Sequence, residues 1–454
     1  MSLFHPIHHT FAPLADAKQR RRALALSYLP WRYKRGPYEE KLRTALEEKF
    51  HAKAFLFSTG REALFAFLRS IPANPGDEVI VQGYTCVVVP NAIHGAGLTP
   101  IYCDIERDTL NLDCDALEML ITPKTRAIIC QHTFGIPADA KRLREICDRT
   151  GILLIEDCAH VIPDEAGPKE IGEFGDALLL SFGRDKAISG ITGGAIVSRV
   201  ASANATLERI WKHAHDLSFF TILRLLEYPN IYGWAKLFYG LGMGKLSLVL
   251  HAKIGALRPI LTTQEKHGRM KRTLHRMPDV CAALALEQLG RLPELNDHRR
   301  MLTKFFCEEG RKRNWPMLQG ICHGWFDGEM VAKQERSSLR DISGNRLRTI
   351  QPSTHPTIFP PLQKFPLFTK GAETIRRALK SRNIHLHDGW TSCVVCPASV
   401  NLPDTGYELG NDPAAEAVCE DILSLPTHPT MTMRQAEELV ESLDPLLQKE
   451  DHIE

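Results

Sequence analysis

The sequence predicts an α/β fold, a largely parallel sheet covered by helices on both faces, with a smaller α+β domain at its C-terminal end. Three observations predict it. Short apolar runs recur between residues 78 and 197, helical patterns lie between several of them, and the runs are apolar throughout instead of alternating. Strands buried on both faces read in that way.

The elements follow in order. Glu39 to Phe50 has helical spacing, with Leu42, Ala45, Leu46 and Phe50 on one side. Ser58-Thr59-Gly60 opens a second helix, Arg61 to Leu68, by joining hydroxyl capping to a tight turn. Pro75-Gly76-Asp77 is a turn before the strand Glu78-Val79-Ile80-Val81. Ile101 to Asp104, Ala127 to Cys130, Ile152 to Ile155, Ala177 to Leu180 and Ala195 to Val197 repeat that signature, with helical stretches at Cys114 to Leu120 and Ala138 to Thr150. The character changes at Leu217 to Leu257, which is rich in large apolar residues. Helical spacing returns at Val280 to Leu292, in a charged helix from His298 to Arg313, at Ala372 to Ser381 and at Met433 to Leu443, and Gln334 to Ser343 reads as a loop. The plan is an N-terminal arm (1–35), a large α/β domain (36–215), an apolar insertion (216–260) and a small α+β domain (261–454).

Composition narrows the class. Over 454 residues Lys plus Arg is 56 and Asp plus Glu 54, a net charge of +2, so nucleic acid is not an expected partner. The chain is 44% hydrophobic and 24% charged, a globular balance. Met1 to Pro13 has no apolar signal-peptide core, Lys18 to Arg22 reads as a basic surface arm, and no run is long enough to span a bilayer. The 12 cysteines are scattered singly apart from Cys393 and Cys396. Reduced thiols in a cytoplasmic setting are the expectation. Cys393-Val394-Val395-Cys396 has the form of a metal half-site but lacks a second pair, so no metal is expected.

In an open parallel sheet, ligands gather beyond the carboxyl ends of the strands. There stand Gln131-His132-Thr133-Phe134-Gly135, Glu156-Asp157-Cys158-Ala159-His160 and Ser181-Phe182-Gly183-Arg184-Asp185-Lys186, with Gly193-Gly194 opening the next strand. Ser58-Thr59-Gly60-Arg61 sits at a helix start, where free amides and the helix dipole favour a phosphate. A lysine and an acid at strand ends, with an anion site at a helix N-terminus, are the ingredients of a pyridoxal phosphate pocket.

The order of the segments sharpens this. Gly36-Pro37-Tyr38, Ser58 to Leu64, Pro75 to Val81, Asp104-Ile105 with Leu110 to Asp113, Thr122 to Ile128, Glu156 to His160 and Ser181 to Lys186 occur collinearly. The set resembles the DegT/DnrJ/StrS family of pyridoxal phosphate-dependent sugar aminotransferases, from about Gly36 to Val197, and again at Arg276 to Leu292 and Leu423 to Pro429. The resemblance implies the aspartate aminotransferase fold (fold type I), with a mainly parallel, seven-stranded type of sheet, and pyridoxal 5′-phosphate as cofactor. Lys186 then matches the Schiff-base lysine that also shuttles the substrate proton, and Asp157 the acid that keeps the pyridine nitrogen protonated. His160 falls beside the cofactor ring. Ser181, Gly60 and Arg61 match the phosphate contacts, although the family more often has a hydroxyl residue where Arg61 stands.

Two departures accompany the resemblance. The family's Phe-Thr-aromatic run reads Tyr84-Thr85-Cys86, so Cys86 occupies the ring-stacking position and Tyr84 is the alternative. The Asn-Tyr-Arg-Met run, whose Asn reaches the phosphate across a dimer, reads Leu274-His275-Arg276-Met277. The implied activity is transfer of an amino group from an amino acid, by family precedent glutamate, to a nucleotide-linked keto-sugar in amino-sugar or polysaccharide biosynthesis, by a homodimer. The rival readings are a sugar dehydratase using the same cofactor, disfavoured by the retained Lys186, and a non-catalytic regulatory or binding protein. Residues 216–258 carry five basic and two acidic residues among large apolar ones. Buried core or dimer interface is the first expectation for them, and a bilayer-docking surface the alternative.

Overall fold

Seven apolar runs assemble into one sheet in the computed structural model, which describes residues 6–166, 171–257, 259–323, 325–326, 329–330 and 359–450. The strands are β1 (Lys53–Phe57), β2 (Glu78–Gln82), β3 (Thr99–Cys103), β4 (Thr125–Gln131), β5 (Leu153–Asp157), β6 (Ala177–Ser181) and β7 (Gly194–Ser198). Their order is β1-β7-β6-β5-β4-β2-β3. Neighbours pair in parallel except at β7, which runs antiparallel to both β1 and β6. Six of these strands stand where apolar runs predict them. β1 is the addition: it follows helix α2 (Pro37–Phe50) across His51, which itself takes the left-handed backbone at φ 51, so no Gly or Pro marks the turn.

Alternate strand residues bury on opposite faces. Leu56, Leu178, Leu180 and Val197 face one layer, α1 (Ala17–Ser27), α2, α8 (Phe219–Leu237) and α10 (Asp279–Leu289). Phe55, Phe57, Leu179 and Ile196 face the other, α3 (Gly60–Leu68), α4 (Val88–Ala96) and α7 (Ala201–His213). Beyond the sheet, α11 (Leu292–Lys312) leads to a second layer built on β8 (Lys364–Phe368) antiparallel to β9 (Ile422–Pro426), with α12 (Ala372–Lys380) and α14 (Met433–Glu450).

Several expectations are corrected. The charged helix begins at Leu292, with Pro293 in its first turn, where a missing N–H costs nothing. The arm is only partly on the surface: Ile7–His8 pairs in parallel with Ile384–His385, and His8 and His9 are buried. The apolar insertion is two helices, α8 and α9 (Met243–Lys253), of which α8 buries one side on α1. Cys307 and Cys322 form a disulfide, so the expectation of reduced thiols throughout does not hold for that pair. The loop expected at Gln334 to Ser343 lies outside the described residues.

Candidate active site

Gln131, Asp157 and Ser181 end three adjacent strands, β4, β5 and β6, on the same edge of the sheet. The chain leaving Ser181 turns through Gly183 and brings Lys186 back to this edge. Lys186 lies close enough to Asp157, His160 and Cys86 for its charge to act on all three. Asp157 is buried, and its Oδ1 accepts from the Ala159 amide at 2.9 Å. Burial pushes its carboxyl above the ordinary value, opposed by that amide and by Lys186. Among the described residues, no arginine or lysine forms an ion pair with Asp157.

His160 is buried as well. Its Nδ1 accepts from the Phe134 amide at 3.1 Å, which assigns the ring proton to Nε2. The ring stacks on Phe134 at 5.8 Å and meets Trp390 edge-on at 4.9 Å. Burial first, then Lys186 and Lys364, holds the imidazole well below its usual range, so it is neutral at pH 7.

The anion cradle forms where α3 abuts β6. Thr59 caps α3 by accepting from the Glu62 amide, which leaves the Gly60 and Arg61 amides at the open end of the helix. A Cβ on Gly60 would lie 3.2 Å from Ser181 Cβ and 3.3 Å from Ser181 Oγ. Glycine at position 60 thus keeps the small space between that amide edge and the Ser181 hydroxyl open. Gly194 is required for the same reason, since a side chain there would overlap the backbone of Gly60.

Two side chains, those of Tyr84 and Arg61, differ from the sequence expectation. Tyr84 is fully buried, donates its hydroxyl proton to the Trp390 carbonyl and meets Phe134 and Trp390 edge-on. It is a core residue and does not cover the cleft. Two residues on, Cys86 pairs with Cys396 in a short parallel strand, stays partly exposed and lies within reach of the Lys186 charge, so a thiol stands where an aromatic ring is usual. The Arg61 guanidinium is committed to Glu265 and to the Ile260 carbonyl, so position 61 offers its amide and not its side chain. His275 pairs within its own chain, Nδ1 to Glu62 Oε1 at 3.1 Å, and Glu62 raises its pKa.

Sequence reasoning missed four supports. His132 and Glu156 make a fully buried pair behind Asp157, at 3.0 Å. Glu156 also accepts from the amides of Gly172, Phe174 and Gly175. Cys158 lies within 4.8 Å of both, but the Glu156 oxygens are already taken by four donors, which makes this a structural hub and not a metal site. His132 and Glu156 stood in quoted strand-end segments, so their signal was present. Gln363 donates to the Asp185 carbonyl and Arg299 to that of Ala187, holding the peptides on either side of Lys186. Next to them Lys364 pairs with Asp388 at 3.0 Å, and a small cavity reaches from that pair to Lys186. Although burial raises its carboxyl, Lys364 and His9 bring Asp388 down to about 2. Nothing in the local sequence marks these residues, which lie far from Lys186 along the chain.

The donor set fits pyridoxal 5′-phosphate. A lysine with no hydrogen-bond partner among the described residues, a buried unpaired carboxylate suited to a cationic ring nitrogen, and a glycine-built cradle at a helix N-terminus lie on one edge of the sheet. Comparison with known proteins points the same way. Residues 16–218 match the DegT/DnrJ/EryC1/StrS aminotransferase family. A GDP-perosamine synthase of Vibrio cholerae is 33% identical over 189 residues, 41% of this chain and 52% of that protein. An L-glutamine:2-deoxy-scyllo-inosose aminotransferase of Streptomyces kanamyceticus is 38% identical over 156 residues, 34% of this chain and 36% of that protein. These alignments thus span about half and about a third of the relatives' lengths. The Bacillus subtilis protein NtdA, solved with bound cofactor PMP, superposes with a TM-score of 0.66 at 18% identity, over 96% of this chain and 84% of that one, and shares the fold.

Proposed function

We propose that this chain is a member of the DegT/DnrJ/EryC1/StrS aminotransferase family, whose model residues 16–218 match, and that it moves an amino group from an amino acid to a keto-sugar carried on a nucleotide, with pyridoxal 5′-phosphate as cofactor. The observation that carries the reading is the convergence of Lys186, Asp157 and His160 on the sheet edge that also holds the Gly60–Ser181 cradle. When bound, the cofactor supplies a carbonyl carbon through which nitrogen is exchanged and a ring that withdraws electrons from the reacting carbon.

Each residue has a distinct part. Asp157 would face the cofactor's ring nitrogen and favour its protonated form, and that pairing would relieve the cost of its own buried charge. The Gly60 and Arg61 amides and the Ser181 hydroxyl would hold the phosphate at the positive end of α3. His160, neutral and with its proton on Nε2, would help orient the ring without competing for the proton. Lys186 Nζ would hold the cofactor through its carbonyl carbon and, as a free amine, would serve as the base that takes up and returns the substrate proton. The relatives named as a GDP-sugar synthase and as an L-glutamine-dependent aminotransferase support a nucleotide-sugar acceptor and an amino-acid donor. A cytoplasmic homodimer is part of the same reading.

The test is spectroscopic. Purified protein with the cofactor should show a visible absorbance band that an amino-acid donor bleaches and a nucleotide keto-sugar restores. The Lys186→Ala variant should lose the band and turnover together, and a Lys186→Ala protein with wild-type turnover refutes the assignment.

A further inference from the structure

A broad apolar face lies on the side of the molecule built from α1, α8 and α9. On α9, Met243, Leu246, Val249 and Leu250 fall at helical spacing and are all exposed, with Ile254 next in line. On α8, Phe220, Trp234 and Leu237 share one stripe, which Leu241 continues past the helix end, and Phe220 is 70% exposed. A groove lined by Leu24 and Ser27 of α1, Leu226, Glu227, Asn230 and Ile231 of α8 and His251 of α9 joins the three helices. Tyr28 and Trp31, both over 70% exposed, extend it, and Phe219 stacks on Tyr33 beside them at 5.1 Å. Monomer surfaces rarely carry contiguous apolar area on this scale without a partner.

The charges select the partner. Among the described residues 217–257, the charged side chains are Arg224, Lys236, Lys245 and Lys253 against Glu227 alone, in a chain whose overall balance is nearly neutral. Lys236 is turned inward to the Ala12 carbonyl, while Arg224, Lys245 and Lys253 stay exposed. Pairing this face with itself across a two-fold axis would bring like cations together with one acid per copy to offset them. An anionic bilayer has no such conflict. Phe, Trp and Leu side chains enter the head-group boundary, Trp and Tyr settle at its level, and cations meet lipid phosphates. No helix among the described residues is long and apolar enough to cross a membrane, so the contact is interfacial. Of the two helices, α8 begins at Phe219, just past the end of the family match at residue 218.

We infer that the α1–α8–α9 face is a docking surface for an anionic lipid bilayer. The test uses the full chain and flotation with phosphatidylglycerol-containing vesicles, with pure phosphatidylcholine vesicles as comparison. Wild type should float with the anionic vesicles and be released by salt. Replacing Arg224 and Lys253 with Ser should weaken binding by roughly fivefold per cation removed. The double variant L246E/L250E should abolish flotation while the melting curve stays that of wild type. Brominated lipid should quench Trp234 fluorescence, and a Trp234→Phe variant identifies that share of the signal. Failure of folded wild type to bind anionic vesicles, or undiminished binding by L246E/L250E, overturns the inference. So does a wild-type dimer that L246E/L250E converts to monomer without any lipid binding, which would make the face an interface between copies.

Discussion

The Arg299 guanidinium, buried in α11, donates to the carbonyl oxygen of Ala187, the residue that follows Lys186. A second donation to Asn296 Oδ1 at 3.0 Å fixes the fork, while Gln363 grips the Asp185 carbonyl on the other side. Lys186 thus sits on a peptide loop clamped from both directions, and its side chain carries most of the remaining freedom. Such clamping narrows the range of Nζ positions, which matters because misplacement of about 1 Å can cost 100-fold in rate.

Arg299 is therefore a positioning residue. Arg299→Met leaves the Ala187 carbonyl without its partner and should cost about 1–3 kcal/mol in denaturant unfolding. Beyond that loss, kcat should fall with KM little changed and the cofactor absorbance maximum should shift. Arg299→Lys should restore part of both. A Met variant with lowered stability but wild-type kcat and spectrum would reduce the residue to a packing role.

Gly60→Ala tests the phosphate cradle. The added methyl meets Ser181 Cβ and Oγ at 3.2 and 3.3 Å, so the hydroxyl must shift by a few tenths of an ångström and the space narrows. Cofactor affinity, titrated by absorbance, should weaken by at least about tenfold, the scale of one charge-assisted hydrogen bond lost. Unfolding free energy should change by no more than about 1 kcal/mol, because a small strain is shared by a flexible neighbour. Unchanged affinity would place the phosphate elsewhere.

Asp157→Asn separates stability from function. The folded pKa of Asp157 is raised, chiefly by burial, so the stability its neutral form contributes is full below the unfolded value of about 3.9 and is lost as pH rises through the folded one. At pH 7 the cofactor-free Asn variant should thus melt no lower than wild type. Turnover should drop by roughly 100- to 1000-fold, since the ring nitrogen loses its anionic partner. A destabilised but active variant would contradict both halves.

A second acid provides a pH test away from the site. Burial, then the neighbouring Asp104, raises Asp412 to about 6. Its stabilising protonated form is fully present below about pH 3.9 and is lost as pH rises through 6. Asp412→Asn should therefore stabilise the chain by about 2 kcal/mol at pH 8 and by little at pH 4. Denaturant midpoints at the two pH values measure the difference, and a gain of equal size at both would exclude titration of Asp412 as the cause.

How far the sequence could be read depended on whether the deciding interaction was local. Six strands of the sheet were legible because each is an apolar run bounded by turn or helix signals, and β1 was missed because His51 makes a turn that residue type alone does not announce. Lys186, Asp157, Ser181 and Gly60 were legible because strand ends and helix starts are local features and the fold class says which edge they share. Tyr84 and Arg61 were not. Each lies within two residues of a cleft position, but the direction of its side chain is set by partners far away in the chain, the Trp390 carbonyl and Glu265.

By itself the sequence determined the layered α/β class, the collinear segments and the types of group that meet at the strand ends, since periodicity, caps and glycine turns act over a few residues. Only the tertiary structure decided which side chains are committed elsewhere, that Arg299 and Gln363 clamp the lysine loop, and that the 217–257 segment turns an apolar, cation-edged face outward. Those are contacts between residues separated by scores or hundreds of positions, and burial and pairing at such range arise from packing, which no local pattern encodes.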